Sequence, residues 1–212
     1  MILLDRRSIG VVMRRLAKAN PAPKTELESV NTYTLLVAVV LSAQMTDRGV
    51  NKATRELFKV ADSPERMLEL GEGRLREYVK SVNLYPTKAR RIIELSHILV
   101  ERFGGEVPRT RAELESLPGV GRKTASVVLN VAFGEVAMPV DTHLLRLAPR
   151  LGLSAGRDPL AVEQDLLERI PARYLMDAHH LLLLHGRYVC VARSPKCGEC
   201  CLADLCPRNG LA

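Results

Sequence analysis

Leu114-Glu115-Ser116-Leu117-Pro118-Gly119-Val120-Gly121-Arg122-Lys123-Thr124-Ala125 joins a short helix, with Thr110 placed to cap it, to an apolar helix carrying Val127, Val128, Leu129 and Val131. Pro118 ends the first helix, because proline has no N–H for the helical ladder. Gly119 and Gly121 permit a tight reversal with no side chains in the way, so backbone N–H groups can come close to a ligand. Those amides stand at the N-terminus of the next helix, where unsatisfied donors and the helix dipole suit a phosphate. A helix–hairpin–helix of this kind grips a nucleic-acid backbone without reading sequence. A bare G-x-G would be an ordinary turn between helices; the string LPGVGRK-T at a helix start is far more specific.

Lys123 falls in the first turn of that second helix. Most lysines are solvated or touch phosphate, and the sharper reading is a nucleophile. An amine attacks only when neutral, and an unperturbed lysine near pH 7 is neutral in about one molecule in a thousand. A helix N-terminus and partial burial both disfavour the cation, so both push toward the free amine. Eighteen positions on, Val140-Asp141-Thr142-His143 opens another helix. Asp141 is placed to cap that helix, over Thr142 to Leu151. A carboxylate near Lys123 would also accept the proton that a nucleophilic amine must lose, although it would favour the charged amine.

The chain ends in Cys190, Cys197, Cys200 and Cys206, separated by six, two and five residues. Four thiolates converging on one centre suit zinc or an iron–sulfur cluster. Zinc sites more often show two close C-x-x-C pairs, and this tail has one. Disulfides are the rival, but Cys201 leaves an odd count. His179, His180 and His185 lie on an apolar helix and are read as core or surface residues rather than ligands.

Outward from these motifs the pattern is helical. Ile9, Val12, Met13 and Leu16 recur at helical spacing up to Asn20-Pro21. Thr32 to Ala43 is apolar on nearly every side, the mark of a buried central helix. Asp47 to Val60 is amphipathic, Ser63-Pro64 is a helix start, and Lys88 to Phe103 is a helix that Gly104-Gly105 ends. Asp158-Pro159 starts a helix running to about Ile170, and a last one follows from about Tyr174 to Tyr188. No segment alternates with period two between hairpin turns. An all-α chain of roughly ten helices is expected.

The 212 residues are 47% hydrophobic and carry a formal charge of +7, enough for a substantial core and consistent with a polyanion partner. Tryptophan is absent and aromatics are 4%, which argues against recognition by broad stacking platforms. Met1 to Arg7 lacks the order of a signal peptide, and the apolar run Leu35 to Leu41 is too short to span a bilayer. A soluble, cytoplasmic protein with no membrane contact is expected.

Taken together, Leu41-Ser42-Ala43-Gln44-Met45-Thr46-Asp47, Asn51-Lys52-Ala53-Thr54, Leu84-Tyr85-Pro86-Thr87-Lys88-Ala89, the hairpin string, Val140-Asp141-Thr142-His143 and His185-Gly186-Arg187-Tyr188 before the cysteines resemble the endonuclease III family of DNA glycosylases with lyase activity. The likeness runs through nearly the whole chain in the family's order. It implies two helical domains with an interdomain cleft: residues 24–135, a six-helix block with the helix–hairpin–helix, and residues 1–23 plus 136–212, holding a [4Fe-4S] cluster on the four cysteines. It implies Lys123 as the nucleophile and Asp141 as its acidic partner. The implied substrate is double-stranded DNA with oxidised pyrimidines or abasic sites, cut by β-elimination, and the enzyme is expected to be a monomer of bacterial type working at the nucleoid.

The resemblance also implies that Gln44 and Leu84 fill the gap left by a flipped nucleotide; without it, Leu84 reads as core and Gln44 as a helix-end polar residue. Gly119, Gly121 and Arg122 of the hairpin, His143 after the aspartate, and Arg193 and Lys196 in the cysteine loop are the further candidates for DNA contact. His143 and Arg146 are read as phosphate or supporting contacts, against plain solvation. The family pattern has glycine where this chain has Asn83, a residue that tolerates left-handed backbone, and Pro86 is expected to stiffen the loop. The rival readings are a glycosylase of the same fold for mismatches or photoproducts, and a non-catalytic or redox-sensing DNA-binding module.

Overall fold

A computed structural model describes residues 1–211. Among them are ten α-helices: α1 (Arg6–Ala19), α2 (Thr32–Ser42), α3 (Asp47–Val60), α4 (Pro64–Val79), α5 (Tyr85–Phe103), α6 (Arg111–Glu115), α7 (Arg122–Phe133), α8 (Thr142–Arg150), α9 (Pro159–Arg169) and α10 (Leu175–Tyr188). Short 3-10 turns add Ala172–Tyr174 and Cys197–Glu199. The fold is all-α, and none of these helices is long and apolar enough to cross a membrane. The chain divides into two units, Met1–Lys24 with Glu135–Ala212, and Thr25–Gly134.

In the unit Thr25–Gly134, α2 is the central post. Every residue from Tyr33 to Leu41 is buried, and the helix packs against α3, α5 and α7. Asn31 and Thr34 close a reciprocal cap at its start. Tyr33 meets the Ser96 hydroxyl at 2.7 Å, and burial raises its phenol above the ordinary value. Ser63 caps α4 with Pro64 in the first turn, a position where the missing N–H costs nothing. Gly71, at φ 76°, breaks the helical geometry inside α4.

Helix α5 begins at Tyr85, three residues before the sequence predicts. Pro86 therefore lies in its first turn rather than in a loop, so it starts a helix instead of stiffening the connection. The left-handed residue at this corner is Leu84, at φ 57°, and not Asn83.

In the other unit, Ile9, Val12, Met13 and Leu16 of α1 share one core with Leu144, Leu147, Val162, Leu166, Leu181 and Leu182. The N-terminal helix thus belongs with the C-terminal half of the chain. The two ends are also sewn together directly. Ile2 N donates to Asn209 Oδ1 at 2.9 Å, and Asn209 Nδ2 returns a bond to Ile2 O at 2.7 Å. Arg15 grips Asp204 with both nitrogens and donates to Cys201 O as well. The first contact pairs the tail with the extended N-terminal residues, and the second holds it against α1.

Candidate active site and cluster segment

The hairpin is fastened from both sides. Thr110 caps α6 through Glu113 N at 3.3 Å, and its hydroxyl meets Glu113 Oε2 at 2.6 Å. Arg111 Nη1 donates to the buried Ser126 hydroxyl at 2.9 Å, tying α6 to α7. The reversal closes with Leu117 N on Leu114 O and Val120 N on Leu117 O, both at 3.1 Å.

The two glycines differ in what they do. Gly119 sits at φ +85°, and a Cβ there would come within 3.2 Å of Arg91 Cδ and 3.4 Å of Val40 Cγ1, so the turn itself requires glycine. Gly121 has ordinary extended backbone, and a Cβ would meet nothing within 4 Å. The fold does not demand glycine at 121; a bare Cα there matters only to something arriving from outside. No side chain caps the first turn of α7.

Lys123 lies in that first turn and is exposed. Of the two effects that disfavour its cation, partial burial is not present at Lys123, because α7 is buried only from Ala125 onward. Asp141, in the other unit, is half-buried and caps α8. Its Oδ1 accepts both His143 N and Leu144 N at 2.9 Å, which fixes the carboxylate plane and leaves Oδ2 clear of the cap.

Gln44 and Leu84 are both exposed and both at φ 57°. At 62% exposure Leu84 is not the core residue that its type alone suggests. Two side chains reach across to the α2 terminus beside Gln44. Asn83 Nδ2 donates to Gln44 O at 2.7 Å. The buried Lys88 donates from Nζ to Leu41 O at 2.8 Å and to Ala43 O at 2.5 Å, and burial lowers its amine below the usual lysine value. The sequence marks Asn83 only as a departure from the family's glycine and gives no sign of Lys88, since a lysine at helical spacing reads as a solvated one.

Cys190, Cys197, Cys200 and Cys206 line one pocket, with His185, Lys196 and Arg208 also on its wall; Cys201 points elsewhere and is exposed. All five thiols are free. Among the described residues no three His, Cys, Asp or Glu side chains gather tightly enough for a single metal ion. Four thiols lining one pocket are a donor set that fits an iron–sulfur cluster. Backbone N–H groups already face two of the sulfurs, Leu202 N on Cys200 and Arg208 N on Cys206, each at 3.4 Å. Burial is the largest influence on the Cys200 and Cys206 thiols and raises both above the ordinary value.

His185, read from sequence as a core or surface residue rather than a ligand, is buried against this pocket with Nε2 3.7 Å from Cys200 Sγ. Arg146 has a structural task in place of plain solvation: Nη2 donates to Gly186 O at 2.7 Å and Cys190 O at 3.1 Å. It also lies 3.4 Å from His143 Nδ1, and His143 is half-buried. Arg193 and Lys196 are exposed on the loop that follows.

Residues 37–172 match the HhH-GPD superfamily of base excision DNA repair proteins, and residues 190–206 match the iron–sulfur binding domain of endonuclease III. Endonuclease III of Treponema pallidum (strain Nichols) is 60% identical over 211 residues, 100% of both chains. Endonuclease III of Escherichia coli (strain K12) is 51% identical over 195 residues, 92% of each. A trapped covalent intermediate of endonuclease III with DNA, an estranged-adenine complex, aligns with a TM-score of 0.91 at 43% identity over 97% of each chain. The cofactor that goes with the matched domain is a [4Fe-4S] cluster. A superfamily match over residues 37–172 and a relative 60% identical from end to end make this chain a member of the endonuclease III family, DNA glycosylases of base excision repair with abasic-site lyase activity.

Proposed function

We propose that Lys123 is the nucleophile and Asp141 its proton acceptor, acting on oxidised or ring-saturated pyrimidines and on abasic sites in double-stranded DNA. The observation that carries this is an exposed primary amine in the first turn of α7, directly after a glycine hairpin whose leading N–H groups no side chain caps. Support comes from a relative at 43% identity caught as a covalent complex with DNA.

The damaged nucleotide must leave the stack before its glycosidic bond is reachable. Hairpin amides around Gly119, Gly121 and Arg122 hold the backbone, Gln44 and Leu84 occupy the vacated space, and His143, Arg193 and Lys196 add contacts to phosphate. The Lys123 amine forms a bond to the sugar C1′ as the bond from C1′ to the base breaks, and the base leaves with the electron pair. Asp141 accepts a proton from the attacking nitrogen and faces the positive charge growing on the sugar. The bond from C1′ to the ring oxygen then breaks, the oxygen leaving with the electron pair and taking back the proton held by Asp141, as the nitrogen forms a double bond to C1′; this Schiff base acidifies the C2′ proton. Loss of that proton and of the 3′ phosphate oxygen with its electron pair cuts the strand. Cys190, Cys197, Cys200 and Cys206 would hold the cluster, whose contribution is to fix the loop carrying Arg193 and Lys196. The residue sets 24–135 and 1–23 plus 136–212 act as the hairpin domain and the cluster domain of a cytoplasmic monomer.

Borohydride reduction of the reaction on a thymine-glycol duplex tests the assignment. Wild-type protein should give a covalent protein–DNA adduct. Lys123→Ala should give none while still binding the duplex. Adduct formation by the variant would mean that another residue is the nucleophile.

A further inference from the structure

Among the described residues only three non-glycine residues have positive φ: Gln44, Leu84 and Arg208. Two of these end neighbouring helices, Gln44 just beyond α2 and Leu84 just before α5. Left-handed backbone costs a side-chain-bearing residue free energy and persists only where its surroundings enforce it. Here the enforcing contacts are visible. Asn83 Nδ2 donates to Gln44 O at 2.7 Å, so the residue beside one left-handed corner is bonded to the other corner. Beneath it, Lys88 Nζ holds the carbonyls of Leu41 and Ala43. These are otherwise unsatisfied groups at the negative end of α2, where a cation is favoured.

We propose that Asn83 is a positioning residue: its side-chain amide is a strut that locks the Gln44 and Leu84 corners at one separation, so that both side chains enter a single gap in the duplex together. The proposal rests on the reading above that Gln44 and Leu84 fill that gap. Asn83, Gln44 and Leu84 are all exposed, so this one bond competes with water and adds little to folding stability. Its effect is on the geometry of two exposed side chains, one of them a leucine that no core contact holds. Lys88 anchors the α2 end of the same joint from below, in a buried position that DNA does not reach.

The test uses the full-length holoprotein and a duplex with a tetrahydrofuran abasic-site analogue opposite 2-aminopurine, whose fluorescence reports insertion beside it. Asn83→Ala should weaken binding to this duplex about 3- to 10-fold and slow single-turnover base excision by a similar factor. Cleavage of a single-stranded abasic oligonucleotide, which has no gap to fill, should be unchanged. Asn83→Asp, which keeps the shape but cannot donate and sets a carboxylate against the Gln44 carbonyl, should lose at least as much as Asn83→Ala. In the Gln44→Ala/Leu84→Ala background, Asn83→Ala should cost nothing further.

Wild-type behaviour of Asn83→Ala where Gln44→Ala or Leu84→Ala is impaired would overturn the strut and leave the gap-filling reading intact. If Gln44→Ala and Leu84→Ala are themselves without effect, the gap-filling reading fails and the strut with it. Equal loss on single-stranded substrate, or full additivity in the triple variant, would mean a general structural role and would also overturn the proposal.

Discussion

Arg150, at the end of α8, donates from Nη1 to Val191 O at 2.9 Å and from Nη2 to Ala192 O at 2.8 Å. The guanidinium fork therefore fixes the backbone that leaves Cys190, while Nη1 also lies 3.9 Å from the Cys190 sulfur. Together with Arg146 it ties the start of the cysteine segment to the helix that Asp141 caps.

Arg150→Leu should loosen the cluster without unfolding the helices. Iron and sulfide per chain should fall, and the brown absorbance should bleach several times faster under oxygen, while far-ultraviolet dichroism stays near wild type. Arg150→Lys should rescue only in part, because one ammonium cannot reproduce a planar fork to two carbonyls. Wild-type iron content and bleaching in Arg150→Leu would show that this fork is dispensable.

Asp141 combines a cap with a proposed chemical role, and two substitutions separate them. Asparagine caps as well as aspartate does, so Asp141→Asn should keep the melting temperature within about 1 °C. Its excision rate should fall by about 100-fold or more, since an amide accepts no proton. Asp141→Ala should lose the rate and also about 1 kcal/mol of stability, a drop of about 2–4 °C. An Asp141→Asn enzyme of undiminished rate would reduce Asp141 to a cap.

Gly119→Ala and Gly121→Ala should fail in opposite assays. At 119 a methyl group meets Arg91 and Val40 in left-handed backbone, so stability should drop by about 1–2 kcal/mol. At 121 there is open space, so the cost should stay below about 1 kcal/mol, that of a poorer cap. Duplex affinity, measured by anisotropy at fixed salt, should nevertheless weaken for Gly121→Ala, because the methyl stands where phosphate approaches. Unchanged affinity would remove Gly121 from the DNA interface.

His180 makes stability depend on pH. Burial lowers its imidazole below the ordinary value of 6.5, against the pull of the Asp177 carboxylate, and the His179 ring packs edge-on at 4.9 Å. Its unfolded form takes up a proton first as the pH falls, so the stability present above about pH 6.5 is lost progressively toward the lower folded value. His180→Gln has no such proton to bind, and its melting temperature should fall less between pH 7 and pH 5. Parallel pH curves for the two proteins would show that His180 contributes nothing to the dependence.

Much of this molecule is legible in the chain because local chemistry decides it. Helix starts at Ser63, Asp141 and Asp158, the reversal at Gly119 and the apolar run of α2 follow from caps, backbone freedom and periodicity alone. The hairpin string and the cysteine spacing likewise announce their chemistry from residue type and order. What neighbours in space decide was not legible. The left-handed corners at Gln44 and Leu84 are held by Asn83 and Lys88 across a gap in sequence, the exposure of Lys123 depends on which face of α7 meets the core, and His185 becomes a wall of the cysteine pocket only when the tail folds back. Sequence sets what each segment prefers by itself; only packing brings one segment's donors to another's unsatisfied carbonyls and sulfurs.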